Sequence, residues 1–210
     1  MHFDTSLIAP AFYLPPISYF SAIRAFGRPI LIEQYEHFPK QTYRTRASIH
    51  SANGKLNLIV PVKKGSNGHT AMKDVRISYD ANWQRLHWLS LQTSYRTSAF
   101  FEYYEDEFAP FYDKKYEFLV DYNMELFELI CRLLKLEVTW VRTTGYEAEY
   151  VGAIDLRTAI HPKKPLFRQT DPYFQVFASK NGFLEDLSVV DLLFNQGPQS
   201  KRYLYTNSKP

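Results

Sequence analysis

The sequence predicts an α/β or α+β domain, built as a mixed sheet with a β-hairpin at residues 45–62 and helices packed on it. Three observations carry that expectation. Asn53-Gly54, a strong turn signal, stands between two alternating apolar runs. A run from about Lys115 to Leu136 repeats its apolar residues at helical spacing. Short apolar runs and helical runs also alternate without a strict repeat. With 45% hydrophobic and 22% charged residues, the 210-residue chain has enough apolar content for one core. A single domain over 1–210 is expected, looser and loop-rich from about 146, with a final short helix.

The elements follow in order. His2 to Ala9 reads as a short strand, and the helical spacing of Ile17, Phe20 and Ile23 after Pro15-Pro16 predicts a helix ended by Gly27. Arg28 to Gln34 is a short buried strand. A two-residue type I′ turn at Asn53-Gly54 sets Ala52 opposite Lys55, His50 opposite Asn57 and Arg46 opposite Pro61. Ala47, Ile49, Leu56, Leu58 and Val60 then share the core face, and Arg44, Arg46, Ser48 and His50 the other. KKGSNGH at 63–69 is a Gly-rich loop, Val75 to Tyr79 a strand, and Asn82 to Tyr95 a helix. The acidic run at 102–107 could supply a carboxylate base or metal ligand, although such a run is more often an exposed turn. After the long helix comes the strand EVTWVRTT, then the loop HPKKP at 161–165 and ordered chain in PYFQVF. Ser188 with Asp191 forms a capping-box-like start to a helix that Gly197 stops, and KRYLYTNSKP reads as a frayed end.

Composition excludes several classes. The net charge of +3 is too small for nucleic-acid affinity by charge alone. One cysteine, Cys131, allows no internal disulfide and fits a reducing compartment. MHFDTSLIAPAFYLPP lacks a cationic region followed by an apolar run, and no apolar stretch approaches the ~18 residues of a membrane helix. A cytoplasmic protein without membrane insertion is expected. No P-loop, dinucleotide fingerprint, GxSxG elbow or HExxH occurs, and the six histidines stand singly, so neither metal nor cofactor is expected.

The chemistry-bearing stretch is EQYEHFPKQTYRTRASI at 33–49. Lys40 and Arg46 are the candidate grips on a phosphate or carboxylate, with Tyr43 and Tyr35 as walls for a sugar or base. The bland alternative is a solvated cationic sheet face, and Arg44 is assigned to that margin. In NWQRLHW, Trp83 and His87 lie one helical turn apart. His87 is the candidate general base, although a histidine beside a tryptophan is more often a packed core residue. Cys131, next to the apolar stripe of the long helix, reads as a buried thiol rather than a nucleophile.

YLPPISYF at 13–20, KQTYRTR at 40–46, ANGKLNLIVPV at 52–62, NWQRLHW at 82–88 and LSVVDLLFNQG at 187–197 together resemble the WbqC-like family. The resemblance runs over nearly the whole chain, in the family's order. It matches Tyr13, Leu14 and Pro15 to an aromatic-Leu-Pro element. It also matches Lys40, Tyr43 and Arg46 to a strand-entry pattern, and Trp83 and His87 to a helical pair. The family's Gln-Pro before the aromatic element is replaced here by APAF, and an asparagine before the arginine by Thr45. The resemblance implies a setting in O-antigen or other surface-polysaccharide biosynthesis. Within it, the residues suggest acyl or aminoacyl transfer onto a nucleotide-linked or activated sugar. Tyr13, Lys40, Tyr43, Arg46 and Trp83 would bind the substrate, and His87 would move a proton. The alternative is a non-catalytic ligand-binding or scaffolding module. Either way the expected partner is a small phosphate- or carboxylate-bearing molecule, a nucleotide sugar among them, and not a nucleic acid. The sequence leaves the oligomeric state open.

Overall fold

A computed structural model describes residues 6–27, 29–63, 69–168 and 171–204. Four short strands form a parallel sheet in the order β5-β2-β1-β6: β1 (Leu7–Pro10), β2 (Ile30–Glu33), β5 (Trp140–Arg142) and β6 (Ile154–Asp155). β3 (Arg46–Ser51) and β4 (Gly54–Ile59) pair as an antiparallel hairpin in a sheet of their own. The architecture is therefore α+β, with its parallel and antiparallel pairings in separate sheets. His2–Thr5, Arg28, most of the KKGSNGH loop and the last six residues lie outside the described residues.

Helix α1 (Ile17–Phe26) joins β1 to β2. Extended Pro16 caps its start, and Gly27, in the left-handed region at φ 54°, ends it by donating to the Ile23 carbonyl. The first turn of α1 is tied from afar, because the Asp186 carboxylate accepts the Ser18 N–H at 2.8 Å and its hydroxyl at 2.9 Å. Burial holds that carboxyl up at about 6.

The hairpin departs from its expected register. Ser51 pairs with Gly54, so the turn residues are Ala52 and Asn53. Only Gly54 there has positive φ, at 96°, so the turn is not type I′, which needs two such residues. Arg46 consequently faces Ile59 rather than Pro61. The slip is two residues, and side chains alternate with period two, so every residue keeps its face. Ala47, Ile49, Leu58 and Val60 are buried as expected. The opposite face is also covered along β3: Ser48 and His50 are buried, His50 beneath Gln175 and Asn181.

Helices α2 (Trp83–Tyr95), α3 (Phe101–Asp113) and α4 (Leu119–Leu133) follow the hairpin. The acidic run 102–107 is not a turn but lies in α3, whose Phe101, Tyr104, Phe108 and Tyr112 turn inward at helical spacing. Val75–Tyr79 is no strand. It makes isolated bridges, Val62 with Ile77 and Arg76 with Phe118, and the second holds Phe118 extended so that α4 starts at Leu119 rather than Lys115. Cys131 is buried on α4, its thiol pushed up to about 12 by that burial.

After β6 come α5 (Ala178–Asn181), α6 (Val189–Gln196) and α7 (Ser200–Tyr203), the last taking in residues expected to fray. Ser188 caps α6 through the Val190 N–H and Gly197 ends it. Asp191 does not complete a capping box. Its fully buried carboxylate accepts from the Tyr95 and Tyr173 hydroxyls at 2.6 and 2.5 Å, which locks α2 and the 173–175 segment onto α6. One hydrophobic cluster runs from Leu7 to Leu204.

Candidate functional site

The chain between β2 and β3 carries the site. It turns at Gln41, whose φ of 62° is left-handed, and is pinned by the Thr42 hydroxyl donating to the Pro39 carbonyl at 3.0 Å. This places Lys40 and Arg46 on one cleft of about 590 Å³. Phe38, Ile59, Val60, Pro61 and Val62 give it an apolar wall, and Lys63 and Arg76 also line it. Arg76 pairs with Glu117, and Asp74 on the rim pairs with Lys73. Lys40, Arg46 and Lys63 meet no acidic partner among the described residues. Three unneutralised cations around one concavity suit a ligand of multiple negative charge.

Arg44 is not a solvated marginal cation. It is 1% exposed, the largest fully buried side chain of the described residues. Its Nε and Nη2 reach Glu36 Oε1 at 2.7 and 2.5 Å, and Nη2 donates to the Arg157 carbonyl at 3.3 Å. Its guanidinium also lies over the Phe12 ring, 5.5 Å from the centroid. One side chain thus links the loops after β1, β2 and β6. Desolvation lowers the Arg44 pKa against the pull of Glu36 and raises that of Glu36 against the pull of Arg44.

Beside this pair lies a second cleft of about 550 Å³, lined by Tyr35, Glu36, His37, Lys40, Arg44, Tyr146, Arg157, Thr158, His161 and Lys164 among others. It sits at the carboxyl edge of the parallel sheet, between the chain leaving β2 and the chain leaving β6. Lys40 borders both clefts. Below, the fully buried Glu33 accepts from the Tyr35 N–H, the Thr143 hydroxyl and the Tyr150 hydroxyl at 2.7–3.0 Å. Arg157 is bound to Asp155 and to the carbonyls of Glu147 and Ala148.

The other expected site residues are not brought to the Lys40–Arg46 cleft. Tyr13 is fully buried, its hydroxyl 2.9 Å from His87 Nδ1 and 3.2 Å from the Tyr112 hydroxyl. His87 Nε2 accepts the Ile59 N–H at 3.1 Å, so the neutral ring carries its proton on Nδ1 and donates it to Tyr13. Burial pushes His87 down to about 4. Trp83 is buried, donating from Nε1 to the Ser78 carbonyl at 3.0 Å and packing edge-on against His87. Tyr43 stacks at a tilt on Phe12 and lines a separate small recess with Lys55 and Asp186. Trp83, His87 and Tyr13 thus form a packed aromatic cluster behind the Ile59 wall. Among the described residues no group of three His, Cys, Asp or Glu is placed to hold a metal ion.

Glu36, Tyr146, Arg157 and Lys164 were missed. The readable signal is a charged residue closing a short apolar strand: Glu33 after Ile30–Ile32, Asp155 after Ile154. In a parallel sheet such residues mark the edge where ligands bind.

Fold and site together define an α+β domain with paired cation-bearing clefts, one of them at the carboxyl edge of a parallel sheet. The chain belongs to the WbqC-like protein family, whose model matches residues 11–163. It is 25% identical over 218 residues to the uncharacterized protein Rv1507c of Mycobacterium tuberculosis, covering 91% of this chain and 94% of that one. No solved structure matches the chain. Among the described residues no helix is long and apolar enough to cross a membrane.

Proposed function

We propose that the protein is a group-transfer enzyme of cell-surface polysaccharide assembly, acting on a nucleotide-linked or otherwise activated sugar whose anionic group lies in the Lys40–Arg46 cleft. The observation that carries this reading is the set of three cations, Lys40, Arg46 and Lys63, left without acidic partners around one concavity. Arg46 offers the planar fork that matches phosphate or carboxylate, and Lys40 and Lys63 add point charges. Transfer is direct between two bound substrates, with the buried Cys131 thiol taking no part. The acceptor oxygen or nitrogen bonds to the acyl carbon, and the donor's leaving group departs with the electrons of the broken bond. The acceptor's proton passes to that group or to water. Positioning and fixed charge supply the acceleration.

A second reading, a binding module without turnover, draws support from His87, whose two ring nitrogens are both engaged away from the cleft. Calorimetric titration with UDP-glucose separates the anion site from a plain charged edge. Arg46→Ala should weaken binding by roughly 2–5 kcal/mol, and Arg46→Lys should recover little of it. Equal affinity in Arg46→Ala and parent refutes the site. Binding that depends on Arg46, with no turnover across acyl donors, favours the module.

A further inference from the structure

The cleft at the sheet edge joins loops distant in sequence, and the proposed transfer uses only its border residue Lys40. We propose that this cleft is a second binding site, for the phosphate ester of a sugar. The inference goes beyond the first cleft and stands whether or not that cleft binds a nucleotide sugar.

Its position is the first argument. The strands β2 and β6 flank β1, and the cleft spans their carboxyl ends, where open parallel sheets bind ligands. The second is the floor. Arg44 and Arg157 are each 7% exposed or less; Arg44 is held by Glu36 and one backbone carbonyl, Arg157 by Asp155 and two. Burying paired charges seldom raises stability over a well-packed apolar floor. Here the pairs hold the cleft's polar groups in fixed positions.

The unsatisfied groups decide the ligand class. Glu36 takes both Arg44 contacts on Oε1, and its Oε2 meets no donor among the described residues. That oxygen is an open acceptor for a ligand hydroxyl. Lys40 has no acidic partner, and Lys164 donates only to the Thr158 carbonyl at 2.7 Å. Arg44 and Arg157 are offset by Glu36, Asp155 and the buried Glu33, whose Oε2 lies 3.7 Å from Arg157 Nη1, so the cleft's cations left without an acidic partner among the described residues are Lys40 and Lys164. Two ammonium groups match one phosphate dianion. They leave a zwitterion, which brings its own cation, poorly matched. Tyr35 and the exposed Tyr146 provide flat walls for the face of a sugar ring.

The test uses glucose 1-phosphate, glucose 6-phosphate and N-acetylglucosamine 1-phosphate as probes, with glucose and inorganic phosphate as partial ligands, in calorimetric titrations of the full chain. At least one sugar phosphate should saturate more tightly than either partial ligand. Lys164→Ala should weaken it about tenfold or more, the scale of one charge-assisted contact. Tyr146→Ala should weaken it also, and Tyr146→Phe should not. Both side chains are exposed, so the variants keep the fold. Arg46→Ala should leave this binding unchanged while weakening that of UDP-glucose, which separates the two clefts. Failure of all three sugar phosphates to saturate overturns the proposal. So does binding that survives both Lys164→Ala and Tyr146→Ala.

Discussion

Replacing Arg44 by methionine removes the guanidinium and keeps most of the stem. Glu36, with its side chain 11% exposed, then holds a carboxylate with no cation against it, and the donors to Thr42 and to the Arg157 carbonyl are lost. Breaking one side of a buried pair costs about 3–5 kcal/mol, much of it from the charge left behind. That is a large share of a domain's total stability of about 5–15 kcal/mol. The origin of the loss can be tested by pH. Without Arg44 the folded pKa of Glu36, already raised by burial, rises further above its ordinary 4.5. A raised carboxyl contributes its stability below the unfolded pKa and loses it as pH rises through the folded one. The deficit of Arg44→Met should therefore narrow as pH falls from 7 toward 4.5. Adding Glu36→Met should restore at least half of the deficit at pH 7, since the pair is then removed together. Urea unfolding followed by tryptophan fluorescence measures the parent, each single variant (Arg44→Met and Glu36→Met) and the double variant. If Arg44→Met unfolds within about 1 kcal/mol of the parent, or the double variant is no better than the single, the buried-pair argument is wrong.

Three further outcomes are expected. His87 is held neutral, its pKa about 4 against 6.5 unfolded, so its contribution is full above pH 6.5 and is lost as pH falls toward 4. Between pH 7 and 5 this removes about 2 kcal/mol, a pH slope that His87→Gln should lack in paired urea titrations. Gly54 has φ 96° with open space where a Cβ would stand, so Gly54→Val should cost only the backbone strain, about 1–2 kcal/mol. At Gly197 (φ 51°) an added Cβ would lie 2.5 Å from the Phe100 ring, so Gly197→Ala should cost more, about 2–4 kcal/mol. Equal midpoint shifts for these two variants would count against the packing described around Phe100.

The local rules recovered what is local. Helical spacing located α1, α2 and α4, and the capping residues of α6 were legible from Ser188 and Gly197. The hairpin's faces came out correctly despite the wrong register, because the error was an even number of residues. Arg44 was misplaced because its burial depends on Glu36 and on a carbonyl 113 residues away, and no local pattern encodes such a contact. α3 was hidden by composition: its acidic residues draw attention, while the helical signal lies in the aromatics between them. Lys40 and Arg46 were found by residue type. The second cleft was not, because loops distant in sequence meet there only through the parallel pairing of β1 with β2 and with β6.

Lys40 stands on the ridge between the clefts, and one ammonium cannot neutralise two anions at once. Whichever anion arrives first withdraws part of the attraction felt by the second, and thermodynamic reciprocity makes the penalty equal in both directions. If both clefts take anions as proposed, they are antagonistic toward pairs of anions and indifferent toward an anion paired with a neutral molecule. A reaction that discharges one occupant would relieve the conflict, so the ridge would favour the pair of bound products over the pair of bound substrates.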